Sequence, residues 1–164
     1  MTGSSAMYSS SLRERIEKLE SVEEIRQLKA RYWRSCDRKD HRAVLDCFVA
    51  GEVEIDYGPI GFFSDRESFV KVFRALGCKD NIVDMHHGAN PEIERIDAYH
   101  ANGIWDLYFF TIDTDGRTFM QLAGRYEDRY LRLDGEWKIE STRFVAASRF
   151  GGRVGADGTL SIAP

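Results

Sequence analysis

The 164 residues are 43% hydrophobic and 30% charged, the balance of one ordinary globular domain rather than a disordered chain. Twenty-three Lys and Arg against 27 Asp and Glu give a net charge of −4, which excludes the basic footprint of a general nucleic-acid binder. No apolar run approaches the ~20 residues that cross a bilayer, so no membrane partner is expected; three scattered cysteines (Cys36, Cys47, Cys78) make no disulfide framework or zinc knuckle and read as reduced cytosolic thiols.

Residues 1–11 are small and polar and lack the apolar stretch of a secretory signal. They are expected to form a flexible arm on a cytoplasmic protein. A single domain then spans 12–150, followed by a Gly-rich tail over 151–164. The first strong element begins near Leu12. Ser21 and Glu24 form an S-x-x-E capping box, which predicts a helix start there, with Val22, Ile25, Leu28, Tyr32 and Cys36 as its apolar stripe to about Arg38. Asp40 can cap a short helix carrying Val44, Cys47 and Phe48. Val53, Ile55 and Tyr57 alternate with acids as a strand does, and Gly58-Pro59 ends it in a turn. Ser64 and Glu67 form another capping box, before a helix burying Phe69, Val70, Phe73 and Leu76 and stopping at Gly77.

From Ile82 the period changes to two. Strands are predicted through Met85 to Glu94 with a bend near Pro91, and over 103–113, 118–131 and 136–148, with Asp115-Gly116 and Asp134-Gly135 as hairpin turns. Beyond Phe150 the glycines predict irregular chain. Helices first and long strands later indicate an α+β domain with a mostly antiparallel, meandering sheet that curls around the helices. Strand 103–113 is apolar at both parities, with Ile104, Tyr108, Phe110 and Ile112 on one side and Trp105, Leu107 and Phe109 on the other. So few helices can cover only one of those faces, and a subunit interface is the simplest cover for the second.

Nucleotide-binding, serine-hydrolase and zincin motifs are all missing. Asp84-x-His86 puts two possible ligands on one strand face, but two ligands do not make a metal site, and none is expected. His86 and His87 are adjacent on a strand and point to opposite faces. One exposed and one hydrogen-bonded core histidine is the simpler reading; an inward imidazole could instead serve as a general base. Tyr32 on the buried stripe is first of all a packed ring. Asp37 follows five residues later, roughly 140° around a regular helix, so the two share a site only where the helix ends. There Asp37 opposes the helix dipole, a hint that it has a partner. Arg143 stands in an apolar row with Trp137, Ile139 and Val145, which points to a buried ion pair or an anion contact. Arg149 and Arg153 read as solvated.

The segment Leu28-Lys-Ala-Arg-Tyr32-Trp-Arg-Ser-Cys-Asp37, the strand Met85-His86-His87-Gly-Ala-Asn90-Pro-Glu-Ile93, the start Gly103-Ile-Trp105 and the stretch Asp134-Gly-Glu-Trp137-Lys-Ile139 occur in that order. Together they resemble the SnoaL-like branch of the nuclear transport factor 2-like superfamily over about residues 12–148, and within it the bile-acid 7α-dehydratase and scytalone dehydratase group. The resemblance implies a cone: a strongly curved antiparallel sheet, an α+β barrel, closed by about three helices around an apolar pocket. It also implies a homotrimer or homodimer packed through the sheet. It carries Tyr32, Asp37 and His86 over as a catalytic trio and selects His86 as the inward histidine. Two positions depart from the pattern: Phe109 stands where it has an aspartate, and Ala146 where it has an arginine.

The resulting expectation is a cofactor-independent, dehydratase-like lyase. Its substrate would be a small, apolar, cyclic or polyketide-like carbonyl compound. His86 would remove a proton beside the carbonyl, Asp37 would support the imidazolium, and Tyr32 would donate to the carbonyl oxygen or the departing hydroxyl. Tyr57 and Phe109 would be pocket walls. The rivals are an isomerase or cyclase using the same trio, and a binding module without catalysis, since the fold hosts many functions.

Overall fold

The computed structural model describes residues 11–162. The arm expected over 1–11 lies outside the described residues, apart from Ser11. Ser11 opens helix α1 (Leu12–Asp37): its hydroxyl accepts from the Glu14 N–H at 3.2 Å, and the Glu14 carboxylate accepts from the Ser11 N–H at 2.6 Å. The S-x-x-E pattern occurs at both Ser11 and Ser21, and nothing between them breaks a helix. The upstream box therefore starts it, and Ser21 is a buried mid-helix residue whose hydroxyl donates to the Glu17 carbonyl at 2.8 Å. Helix α2 (His41–Asp46) is capped by Asp40 as expected. Helix α3 (Arg66–Leu76) is capped by Asp65, not Ser64; the Asp65 carboxylate accepts from the Ser68 N–H at 2.6 Å. Ser64 belongs to a short strand the alternation did not reveal.

Seven strands follow the chain: β1 (Glu52–Asp56), β2 (Phe62–Asp65), β3 (Ile82–Arg95), β4 (His100–Asp113), β5 (Thr118–Leu133), β6 (Glu136–Val154) and β7 (Leu160–Ile162). Their order is β2-β1-β6-β5-β4-β3, with β7 paired to the far end of β6. All pairings are antiparallel except β1 with β6, so the sheet is mixed, and β2 and β3 end it without meeting. The tail read as irregular is therefore partly strand: β6 runs on to Val154, and β7 returns along it.

Register shifts curve the sheet, because each extra residue bends its strand and adds twist. One lies between Ala89 and Glu92 of β3, at the predicted bend, where Asn90 takes φ 47° and donates to the Asp106 carboxylate at 2.8 Å. Another lies between Arg129 and Tyr130 of β5, opposite Ser141 and Ile139. The extra residue in β6 reverses its parity, so Trp137 and Ile139 point inward and so does Thr142, while Arg143 points out. The apolar row assigned to Arg143 is broken there. Its side chain is 61% exposed, 3.5 Å from the Asp56 carboxylate.

The helices fill the concave side. Ile25 and Leu28 of α1 are buried with Trp105, Tyr130 and Ile139 of the sheet. Trp33 packs edge-on to Trp105 with ring centroids 5.5 Å apart. It also lies over Gly88 so closely that a Cβ there would sit 1.8 Å from the indole ring. Deeper still, Lys29 and Asp128 are both fully buried with Nζ and Oδ2 2.7 Å apart. Asp128 also accepts from the Tyr130 and Thr142 hydroxyls at 2.6 and 2.7 Å. The ammonium lies 3.8 Å from the Tyr126 ring centre. Phe69 and Val70 of α3 are buried, but Leu76, expected in the same stripe, is 58% exposed.

Candidate active site

Helix α1 ends beside the inward face of β3. Its last residue is Asp37, Arg38 caps it, and Lys39 turns the chain away at φ 61°. That end presents two charged side chains to two inward residues of β3. Asp37 Oδ1 lies 2.6 Å from His86 Nδ1, and Asp37 Oδ2 accepts from the His86 backbone N–H at 3.2 Å. Lys39 pairs with Asp84 one inward position along the strand. Asp84 and His86 thus face different partners, Lys39 and Asp37. An ionised carboxylate can only accept, so a neutral His86 holds its proton on Nδ1 and keeps a basic Nε2. Among the described residues Nε2 has no hydrogen-bond partner.

A cavity of about 350 Å³ opens between α1, α3 and the sheet. His86 lines it, as do Tyr32 and Tyr57, whose hydroxyl oxygens are 2.7 Å apart. Phe69, Phe73, Leu107, Phe109, Leu122 and Phe144 supply apolar wall. Phe109 stands opposite His86 in the β3–β4 ladder, with ring centres 4.5 Å apart. Burial pushes the Tyr32 and Tyr57 phenols well above the ordinary tyrosine range, each aided by a neighbouring tyrosine. Both are therefore protonated donors. Burial likewise raises the Cys36 thiol, which keeps it protonated and a poor nucleophile.

The structure thus brings Tyr32, Tyr57, His86 and Phe109 to one cavity, with Asp37 behind the imidazole. The 140° between Tyr32 and Asp37 is resolved by what each reaches: Tyr32 points into the cavity, and Asp37, at the helix end, bonds the histidine from the side. His87 is exposed on the opposite face, 6.4 Å from the Tyr108 ring. Ala146 is exposed on β6. Sequence reasoning placed Tyr57 as a wall and missed its bond to Tyr32, and it missed the Lys39–Asp84 pair. No local pattern signals either, because each joins residues 25 and 45 positions apart.

The profile of the SnoaL-like domain matches residues 17–143. Among solved structures, a scytalone dehydratase-like protein from Novosphingobium aromaticivorans superposes with TM-score 0.75 at 21% identity, over 81% of this chain and 88% of that one. A hexachlorocyclohexane dehydrochlorinase, LinA type 2, gives TM-score 0.73 at 20% identity, over 82% and 90%. LinA type 3 from Novosphingobium barchaimii gives 0.72 at 18%, over 90% and 93%. At these identities the likeness is one of fold. The profile spans most of the chain, and the helix-filled, curved sheet agrees with it: the protein belongs to the SnoaL-like family, within the nuclear transport factor 2-like superfamily.

Proposed function

We propose that the protein is a cofactor-independent lyase that eliminates water from an apolar cyclic or polyketide-like carbonyl compound. The observation that carries this reading is the meeting of a carboxylate-held imidazole and a hydrogen-bonded tyrosine pair at one apolar cavity. His86 Nε2 takes the proton from the carbon beside the carbonyl. Asp37 supports the imidazolium that results. In the tyrosine pair one hydroxyl donates to the other, which leaves one O–H proton free for the ligand. That proton is donated to the carbonyl oxygen as enolate charge develops, in a site where apolar walls strengthen the bond. The carbon–oxygen bond to the hydroxyl then breaks as the carbon–carbon double bond forms, and hydroxide leaves as water with the proton held by His86. The steps are proton transfers and one carbon–oxygen cleavage with no net oxidation or reduction, so no cofactor is invoked. Two of the structural relatives are named for eliminations, a dehydratase-like protein and a dehydrochlorinase.

A panel of β-hydroxylated cyclic ketones, incubated with the protein and read by mass, tests the reading. Loss of one water, abolished in His86→Ala, is the expected result. A rearranged product of unchanged mass would replace the lyase with an isomerase, and binding without turnover by any member would remove the catalytic reading.

A further inference from the structure

Behind the outer face of α3 lies a second concavity, a groove lined by Lys39, His41, Lys71, Arg74, Ala75 and Cys78. Its four ionisable side chains other than the thiol are all basic, on a chain whose net charge is −4. Among the described residues, neither Lys71 nor Arg74 has an acidic partner within 4 Å. The groove and the cavity share the C-terminal turn of α3: Leu76 and Gly77 line the cavity, Ala75 and Cys78 the groove. They also share the Lys39–Asp84 pair, of which Lys39 lines the groove and Asp84 the cavity. Lys39 is placed at a backbone cost. At φ 61° it occupies the left-handed position after α1 that glycine fills without strain, so the turn alone does not account for a long side chain there.

We propose that this groove is an anion subsite, which takes a carboxylate or phosphate on a tail of the molecule whose apolar body occupies the cavity. The inference rests on the reading of the cavity as a substrate pocket and adds the substrate class: amphipathic, with one negatively charged end. Lys71 and Arg74 meet the anion from the exposed side of α3. Lys39 meets it from the turn and exchanges part of its contact with Asp84 for the incoming charge. Arg74 offers a planar fork suited to two anionic oxygens, and the lysines act as point charges. A free carboxylic acid and the phosphates of a carrier-bound acyl group would both satisfy this chemistry.

Three naphthalene probes with the same four-carbon tail separate the possibilities: one ending in a hydroxyl, one in a carboxylate and one in a phosphate. Their dissociation constants are measured by calorimetry on the intact protein. The anionic probes should bind at least about tenfold tighter than the alcohol, as one added charge-assisted contact supplies. A larger gain for phosphate identifies a phosphorylated carrier as the source, and equal gains a free acid. The double variant Lys71→Ala, Arg74→Ala should bring the anionic probes to the level of the alcohol and leave the alcohol unchanged; both residues are exposed, so the fold is not at risk. Raising the salt should reproduce the loss. Equal binding of all three probes, or an anion preference that survives the double variant, overturns the subsite and leaves the cavity reading intact. Failure of the alcohol to bind overturns the cavity reading, and failure of all three overturns both.

Discussion

His86, Asp37 and Tyr32 can be separated by substitutions that spare the packing. His86→Ala should lower turnover by roughly 10²–10⁴-fold, the usual contribution of a positioned general base, whereas His87→Ala on the exposed face should change it little. Tyr32→Phe keeps the ring and deletes the bond to Tyr57. Asp37→Asn keeps the shape but cannot support an imidazolium. Groups acting as a unit are non-additive, so His86→Ala with Asp37→Asn should be hardly worse than His86→Ala alone. Additive losses would mean that Asp37 works independently of the histidine. Gly88 belongs at this scale too. A methyl group there must displace the Trp33 ring, which sits between β3 and Trp105. Gly88→Ala should cost about 1–3 kcal/mol by overpacking, read from urea unfolding; a change below half a kcal/mol would mean that the helix shifts freely over the strand.

Among the elements, α1 is fastened to the sheet at two levels. At its end the Asp37–His86 and Lys39–Asp84 pairs meet β3. About two turns earlier, Lys29 enters the core and meets Asp128 of β5. Burial holds the Lys29 ammonium below the ordinary lysine range, and the Asp128 carboxylate opposes that shift. A buried pair adds little net stability over apolar residues, but breaking it strands a charge. Asp128→Ala leaves Lys29 unpaired and removes the acceptor of the Tyr130 and Thr142 hydroxyls. It should destabilise the protein by about 3–5 kcal/mol, measured by chemical unfolding. Restoring most of that loss by adding Lys29→Met would identify the stranded ammonium as the cause, and no restoration would assign the loss to the two hydroxyls.

For the whole molecule, four buried tyrosines govern behaviour in alkali. Burial raises Tyr32, Tyr57, Tyr126 and Tyr130 above the value of 10.0 that holds once they are unfolded. Between the two values the folded chain binds more protons, so each contributes stability that is complete below pH 10 and lost as pH rises through the folded value. The lowered Lys29 works in the opposite sense, but it is one group against four. Stability should therefore fall steeply above pH 10, with the last tyrosinate absorbance appearing together with unfolding. Full ionisation in a still-folded protein would contradict this. The outer face of the sheet gives the other expectation at this scale. Ile104 and Tyr108 of β4 are 36% and 44% exposed, and on β3 Val83 and Met85, 51% and 49% exposed, stand opposite Ile112 and Phe110 of β4. A second copy of the chain is the cover expected for this face, as a homodimer or homotrimer. Light scattering should show the oligomer and Tyr108→Glu should dissociate it; a wild-type monomer at micromolar concentration would refute the expectation.

Periodicity and turn chemistry were enough to place α1 and α3, the four long strands, the bend near Pro91 and the Asp-Gly hairpins, because each depends on neighbours a few residues away. The histidine alternation was legible for the same reason: adjacent strand residues must diverge. What escaped was decided by distant partners. Whether Ser11 or Ser21 caps α1 depends on the continuity of the whole helix. The side to which Arg143 points depends on one extra residue in β6 measured against β5. β2 and β7 exist because β1 and β6 offer them edges. Resemblance to a family pattern could nominate Tyr32, Asp37 and His86, but that Tyr57 meets Tyr32, that Lys39 meets Asp84 and that Lys29 meets Asp128 are consequences of a curved sheet folding back on one long helix, which no local pattern encodes.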